Sequence, residues 1–366
     1  MLKVPTVLVV TGRSDRSEAS LLVALHRAGL CLTVLGRADS AYRERFEHAG
    51  IDHVPLMLLG GRDRSGIEVI RWHLDALRPA ILHLVGRDAI ANGLRAAKGR
   101  KSKIVLQRRV IGDAAAIGFF DWAAFVRPGV DRVVCGAETV RRAMLERGFG
   151  PFRVPAEKLV TIYAGHELDW YRAEPLDLAV VGVPGDAFVV AAIADSRPEL
   201  TVAWLARAAE HLPAGLPIHF LLLGRGVSRP ATLRLVRRSP YRDRFHVLGF
   251  REDASRILAA SDAMVRRAGR AEGVPRSTVE AMVYRTVPIV SRDSGSAELV
   301  EHERSGLVVP GGDGRALADA LLRLYRDRTF CAELGRNARR RIASVFTVEK
   351  SAAQVERMYR ELISGP

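Results

Sequence analysis

The sequence predicts an α/β protein with two successive doubly wound domains, each built on a parallel sheet. Short apolar runs rich in β-branched residues alternate with helical patterns along nearly the whole chain. The alternation restarts after a connector near residues 163–180 that contains Pro and Gly, and 366 residues are enough for two ordinary domains. Because strand and helix patterns that alternate are typical of βαβ units, both sheets are expected to be parallel.

The elements of the first half follow this rhythm in order. Val7–Val10 is followed at once by Arg, Ser and Asp, so it is interpreted as a buried first strand and not as a signal peptide. Further strands are expected at Leu32–Leu35, Ile81–Leu84, Ile104–Leu106 and Val133–Cys135, with helices near Glu18–Ala28 and Ala41–Ala49.

The second half repeats the pattern. Strands are expected at Phe188–Ile193, Ile218–Leu223, Phe245–Leu248, Ala263–Val265, Val287–Val290 and Gly306–Val309, with helices such as Val202–His211 and Ala316–Tyr325. Phe346 to Leu362 has apolar residues at helical spacing and predicts a terminal helix. Ligands of such folds lie at the carboxyl ends of the strands, so two domains predict a site in the cleft between them.

Composition excludes several classes of protein. With 48% hydrophobic and 27% charged residues the chain is globular, and no apolar run approaches the roughly 18 residues that span a bilayer. The three cysteines are scattered and odd in number, which predicts neither a disulfide framework nor a metal cage and favours a cytoplasmic location. Nucleic acid is a less favoured partner, because aromatics are 6% and the sequence has no zinc-finger, RNP-like or basic-region pattern.

The positive charge is concentrated in the first half. Residues 1–165 hold 26 basic and 16 acidic side chains of the 56 and 41 in the chain, whose net charge is +15. A run without any acidic residue comprises Arg95, Lys98, Arg100, Lys101, Lys103, Arg108 and Arg109. The run is either a solvated loop and helix face or a surface for an anionic membrane or an anionic acceptor, since each Lys or Arg near acidic lipid contributes roughly 1 kcal/mol.

The segment from Arg270 to Met282 carries the most specific signal, at the start of a predicted helix. In one interpretation Ser277 caps the helix and Glu280 completes a capping box, with no ligand involved. In the other, the free N–H groups of the helix start bind a diphosphate, while Glu272 faces a sugar and Glu280 accepts hydrogen bonds from a ribose. A nucleotide-sugar needs all three features.

This segment resembles the retaining glycosyltransferases of family 4 (group 1), which have the GT-B fold. Their hallmark is a Glu-Gly pair followed by a second Glu in Glu-Ala-Met, as in Glu272-Gly273 and Glu280-Ala281-Met282 here. The resemblance extends in order through roughly residues 160–325, over Val160–Leu168, Leu221–Gly226, Val247–Phe250, Ser294–Val300 and Ser305–Pro310. It implies an N-terminal Rossmann-like acceptor domain (1–165), a C-terminal Rossmann-like nucleotide-sugar domain (166–345) facing it across a cleft, and a last helix (346–366) that crosses back to the first domain. Without the resemblance, the tail is a plain helix on its own domain.

The resemblance also implies roles for residues. Glu272 is the expected catalytic contact to the transferring sugar, and Glu280 the ribose ligand. The other expected donor contacts are Gly273, Ser277, Thr278, Arg197, Gly224 and Arg225. The acceptor or membrane side is expected at Gly12, Arg13, Arg108 and Arg109. No metal or other cofactor is implied, and the sequence has no Asp-x-Asp motif.

Two positions depart from the family pattern. Where members carry an Arg and a Lys that grip the diphosphate, this sequence has Asp195 and Leu200. Arg197 either reaches the phosphates instead or is a surface residue, and Arg266, Arg267 and Arg270 offer further cations.

The function this implies is a retaining, metal-independent glycosyltransferase. It would move a sugar from a nucleotide-sugar to a membrane-linked, anionic glycan or glycolipid, as in lipopolysaccharide or polysaccharide assembly, at the inner face of the plasma membrane. The alternative is a degenerate, non-catalytic GT-B protein that serves as an assembly or regulatory subunit.

Overall fold

A computed structural model describes residues 5–12, 14–108, 119–149, 152–194, 197–267 and 273–365. The chain divides into two compact units. The first comprises Met1–His166 and Phe346–Pro366, and the second comprises Glu167–Val345. Each has its own parallel sheet and its own hydrophobic core.

The described strands of the first unit are β1 (Thr6–Thr11), β2 (Cys31–Gly36), β3 (Asp52–Pro55), β4 (Ile81–Val85), β5 (Lys103–Arg108), β6 (Arg132–Cys135), β7 (Gly148–Phe149), β8 (Phe152–Arg153) and β9 (Leu159–Thr161). Seven of them form a parallel sheet in the order β3-β2-β1-β4-β5-β6-β9, and β7 and β8 form a short antiparallel hairpin. The direction of winding of the sheet reverses between β1 and β4, as in a doubly wound fold.

Helices connect these strands, and the last helix of the chain also belongs to the first unit. The first six are α1 (Arg16–Arg27), α2 (Arg43–His48), α3 (Arg64–Leu77), α4 (Arg87–Ala96), α5 (Phe119–Phe125) and α6 (Glu138–Glu146). The last helix, α13 (Val348–Ser364), packs on α1 and places Val355, Met358 and Tyr359 in the core of the first sheet. The Tyr359 hydroxyl and Nδ1 of the buried His83 are hydrogen-bonded to each other at 2.5 Å.

The described strands of the second unit are β10 (Phe188–Ile193), β11 (Ile218–Leu223), β12 (Phe245–Gly249), β13 (Ala263–Arg266), β14 (Val287–Ser291) and β15 (Leu307–Val309). They form a six-stranded parallel sheet in the order β12-β11-β10-β13-β14-β15. The winding reverses between β10 and β13. The prediction of two doubly wound parallel sheets is therefore confirmed.

Helices cover both faces of the second sheet. They are α7 (Pro198–Ala209), α8 (Pro230–Arg238), α9 (Ala254–Ala259), α10 (Arg276–Val283), α11 (Gly314–Arg326) and α12 (Arg328–Val345). Val190 and Val265 pack on the face covered by α7 and α11, whereas Ala191 and Met264 pack on the face covered by α9 and α10. Side chains of successive strand residues alternate between these faces.

Several elements of the first half were not predicted from the sequence, among them β3, β9, α3, α4 and α6. Strand β3 was not predicted, because its four residues include Asp52 and His53 and none is fully buried. The helix α3, whose buried positions include Ile70 and Leu74, was not assigned bounds. Among the described residues, no helix has both the length and the apolar composition needed to cross a membrane.

Candidate functional site

The order of the strands in the second sheet reverses where β10 and β13 lie side by side. After β10 the chain enters α7 on one face of the sheet, and after β13 it enters α10 on the other. Ligands of doubly wound folds bind at this kind of reversal point, because the two connections leave in opposite directions and open a space between them. The predicted donor-side residues that the structure describes lie on the loops and helix starts around the carboxyl edge of this sheet.

The start of α10 corrects one interpretation of the sequence. The residue that precedes the helix is Pro275, which lies in extended backbone and has no side-chain cap. Ser277 is therefore the second residue of the helix, and the capping box is wrong. The Thr278 N–H is satisfied by the Pro275 carbonyl at 3.1 Å, whereas the described residues provide no acceptor for the Ser277 N–H. A helix start without a capping side chain keeps a donor available for an anion.

Glu280 is 7% exposed and lies one turn into α10. Its Oε1 accepts a hydrogen bond from Nε of Arg276 at 2.8 Å, and its Oε2 accepts one from Oγ of Ser255 at 3.3 Å. Burial opposes the charge of Arg276, but the charge and hydrogen bond of Glu280 outweigh it and raise the pKa of the Arg276 guanidinium. Arg276 itself is 77% exposed, so a ligand can displace it from the carboxylate.

The loops after β11 and β12 form a second part of the edge. Gly224 has φ +122°, and its N–H donates to the Gly249 carbonyl at 2.8 Å, which joins the two loops. The Arg225 guanidinium lies 4.4 Å from the centre of the Phe250 ring, and Phe250 is 56% exposed. An exposed aromatic ring with a guanidinium stacked on it provides a planar surface for another ring.

The start of α7 lies against the loop after β11. A Cβ atom on Gly226 would come 2.5 Å from Cγ of Pro198, the first residue of α7. Arg197 is the exposed residue that precedes this helix, and Leu200 lies in its first turn. The predicted donor residues Arg197, Gly224 and Arg225 are thus brought to neighbouring loops of one sheet edge.

The loop after β14 is tied to α10. The buried hydroxyls of Thr278 and Ser296 are 2.9 Å apart and hydrogen-bonded, so the Thr278 side chain fixes this loop. Only the backbone of Thr278 was predicted to face the phosphates. Gly273 is buried and precedes the helix, whereas Glu272, Asp195 and Arg270 lie outside the described residues.

The predicted acceptor-side residues lie at the carboxyl edge of the first sheet. Gly12 follows β1, is exposed, and has open space where a Cβ atom would be. Arg108 ends β5, but its side chain lies outside the described part, as do Arg13 and Arg109. His83 lies inside β4, where it is buried and bonded to Tyr359, which favours a structural role.

The first part of the basic run, from Arg95 to Lys103, lies toward the opposite edge of that sheet. Lys98 and Lys101 are exposed in the turn between α4 and β5, at the amino end of β5. A strand of six residues separates them from the carboxyl edge by about 20 Å. Arg100 forms a bidentate ion pair with Asp75, and Lys103 lies 3.3 Å from Asp131, so part of the predicted charge is neutralised.

Three contacts of the candidate site were not predicted from the sequence. They involve Ser255, Arg276 and Phe250, and the first two bracket Glu280. The i, i+4 spacing of Arg276 and Glu280 was a signal for their pairing. Among the described residues, no group of three or more His, Cys, Asp or Glu side chains could hold a metal ion.

Comparisons with known proteins cover this half of the chain. Residues 187–327 match the family described as Glycosyl transferases group 1. N-acetyl-alpha-D-glucosaminyl L-malate synthase of Bacillus anthracis is 29% identical over 143 residues, which is 39% of this chain and 37% of that protein. Alpha-D-kanosaminyltransferase of Streptomyces kanamyceticus is 28% identical over 43% of this chain and 42% of its own length. The matched region spans about a third of the length of the first curated relatives.

Solved structures are similar over nearly the whole chain. HepE of Anabaena in complex with UDP has a TM-score of 0.74 at 19% identity, covering 97% of this chain and 99% of that one. The same protein was also solved with UDP-glucose, at a TM-score of 0.72. At such identities the likeness concerns the fold, and it confirms the GT-B architecture with two Rossmann-like domains.

Proposed function

Because residues 187–327 match the group 1 glycosyltransferases and the chain has a GT-B fold, we propose that the protein transfers a sugar from a nucleotide-sugar to a glycan or glycolipid. The observation that carries the proposal is the buried Glu280 one turn into α10, beside a helix start that lacks a capping side chain. A ribose and a diphosphate need such a pair of neighbouring groups.

The order of groups along the sheet edge supports a nucleotide-sugar donor. Phe250 and Arg225 offer a stacking surface for the base, Ser255 and Glu280 bracket the ribose position, and the start of α10 attracts the diphosphate. HepE, which has the same fold, was solved with UDP-glucose. The donor would bind with its base toward β12 and its phosphates toward β13.

The proposed reaction retains the anomeric configuration and needs no metal. The leaving diphosphate is stabilised by the N–H groups of the α10 start and by neighbouring cations, and it assists attack by the acceptor from the same face. No protein nucleophile is then required. Glu272 is assigned the contact to the transferring sugar from the motif alone.

A membrane-linked acceptor is supported by the charge of the first unit. Lys98 and Lys101 are exposed, and the Asp75–Arg100 pair joins their turn to α3, which carries Trp72 at 65% exposure. Exposed Trp and Lys side chains are both typical of surfaces that contact lipid headgroups. We propose that the protein is peripheral at the inner face of the plasma membrane. There it would act on an anionic lipopolysaccharide or polysaccharide intermediate, with Gly12, Arg13, Arg108 and Arg109 on the acceptor side.

The donor is tested by thermal unfolding with UDP-, GDP-, ADP- and CMP-linked sugars, followed by hydrolysis and transfer assays with the sugar that stabilises most. A ligand at 100 times its dissociation constant should add about 2.7 kcal/mol to the free energy of unfolding. We expect the wild-type protein to turn over this donor and the Glu280→Ala variant to show no turnover. Stabilisation by none of the four donors contradicts the proposal.

The membrane contact is tested by sedimentation with anionic vesicles. Lys98→Ser with Lys101→Ser should weaken binding by about 10- to 30-fold, from roughly 1 kcal/mol per charge. The control pair Lys158→Ser and Lys350→Ser removes the same charge elsewhere in the first unit and should bind normally. Equal binding by both double variants contradicts the membrane contact.

The second candidate is a GT-B protein without catalysis that serves as an assembly or regulatory subunit. Leu200, in the first turn of α7, favours it, because an aliphatic side chain cannot grip a phosphate. Donor binding without hydrolysis or transfer to any acceptor would support this candidate over the enzyme.

A further inference from the structure

Arg266 is a buried cation at the reversal point of the second sheet. It is the last residue of β13, its side chain is 6% exposed, and its Nη1 donates to the Ile193 carbonyl at 3.0 Å. Ile193 is the last residue of β10. The guanidinium therefore lies at the carboxyl ends of the two strands that flank the reversal point.

The alternation of side chains along β13 shows on which face of the sheet Arg266 lies. Met264 packs on the face covered by α9 and α10, whereas Val265 packs on the opposite face. Arg266, two residues after Met264, leaves the strand on the α10 face. Its positive charge is therefore on the same side of the sheet as the uncapped start of α10, and both favour an anion.

Resting on the proposed function, we propose that Arg266 supplies the fixed positive charge for the donor diphosphate in this protein. Leu200, in the first turn of α7, has an aliphatic side chain that cannot hold a phosphate. A guanidinium at the end of β13 provides a positive charge at the same reversal point, on the α10 face of the sheet.

Arg267 provides a matched control. It carries the same charge one residue further on, but its guanidinium lies beside the loop after β15, where a Cβ atom on Gly312 would come 3.1 Å from Cζ of Arg267. Its backbone N–H and carbonyl are both bonded to the Thr201 hydroxyl at 3.2 Å. The two arginines thus differ in position and not in charge.

The test compares affinity for UDP, GDP and ADP with affinity for uridine, guanosine and adenosine by calorimetry. In the wild-type protein the best diphosphate should bind more tightly than its nucleoside. Arg266→Met should weaken the binding of the diphosphate by about 10- to 100-fold and leave the binding of the nucleoside unchanged, since it removes a charge-assisted contact to the phosphates. Arg267→Met should change the affinity for the diphosphate by less than about 3-fold, because salt screens a charge that does not contact the phosphates. In the Arg266→Met background, Leu200→Lys should restore part of the lost affinity.

A second measurement needs no variant. Amide exchange in wild-type peptides that contain Ile193 and Arg266 should slow with the diphosphate and not with the nucleoside. An unchanged ratio of diphosphate to nucleoside affinity in Arg266→Met overturns the proposal, as does unchanged exchange at these peptides. If no nucleotide binds the wild-type protein, the proposed function itself fails. If a nucleotide binds the wild-type protein but the affinity ratio is unchanged in Arg266→Met, only the role of Arg266 fails.

Discussion

Replacing Glu280 by Gln separates ligand binding from stability, because the two effects have different sizes. Glu280 is 7% exposed, but its ionic partner Arg276 is 77% exposed and one turn away. Such a helical pair contributes about 0.3–0.5 kcal/mol, so Glu280→Gln should fold with nearly unchanged stability. A ribose hydroxyl that donates to a carboxylate gains about 1.5–3 kcal/mol, against about 0.5–1.5 kcal/mol for a neutral acceptor. The variant should therefore bind the nucleotide about 10-fold less tightly.

The assay measures dissociation constants for the best of UDP, GDP and ADP and for its 2′-deoxy and 3′-deoxy forms. Wild-type protein should prefer the ribonucleotide, and Glu280→Gln should lose most of that preference. Arg276→Gln is the control, because it breaks the same ion pair but frees the carboxylate. It should bind at least as tightly as wild-type protein. Equal loss of affinity in both variants would refute the reasoning. The ion pair would then affect binding only by stabilising α10, and not through a contact between Glu280 and the ribose.

Further predictions concern the base and the first unit. Phe250→Ala should weaken the binding of nucleoside and nucleotide alike by about 5- to 150-fold, since stacking on an aromatic ring contributes about 1–3 kcal/mol per base. Binding equal to that of the wild-type protein would exclude Phe250 as the stacking surface. Gly165→Ala should destabilise the first unit, because a Cβ atom at this position would lie 2.4 Å from Cα of Val348. A melting temperature of the variant equal to that of the wild-type protein would contradict this. Burial lowers the pKa of His83 to about 4, whereas the unfolded chain titrates near 6.5. The unfolded state alone takes up this proton between about pH 6.5 and 4, so acidification across that window should lower the free energy of unfolding by about 3 kcal/mol. In urea titrations followed by amide exchange, the first unit of the His83→Gln variant should not show this loss of unfolding free energy on acidification. The same pH dependence in the variant and in the wild-type protein would contradict the assignment of the effect to His83.

The sequence predicted the fold well because the signal is local and repeated. Phe188–Ile193 and Ile218–Leu223 match the observed strands at both ends, since both are fully buried apolar runs bounded by turn residues. Strand β3 was missed because it is short, half-buried and partly polar. Its pairing with β2, and not its own composition, makes it a strand.

The candidate site was predicted less completely, because it depends on contacts between distant residues. The motif placed Glu280 on a helix, but its partner Ser255 is 25 residues earlier, on α9. The capping box failed because the helix begins at Arg276, so Ser277 is already helical. Likewise Arg266 was only one of several nearby cations until the pairing of β10 with β13 placed it at the reversal point.

The most direct test of the central claim is a crystal structure of the protein with a bound nucleoside diphosphate. The diphosphate should lie at the start of α10, with ribose hydroxyls within hydrogen-bonding distance of the Glu280 carboxylate. A nucleotide bound to any other part of the chain would contradict the account. So would a bound nucleotide whose ribose makes no contact with Glu280, so that the carboxylate is hydrogen-bonded only to Arg276 and Ser255.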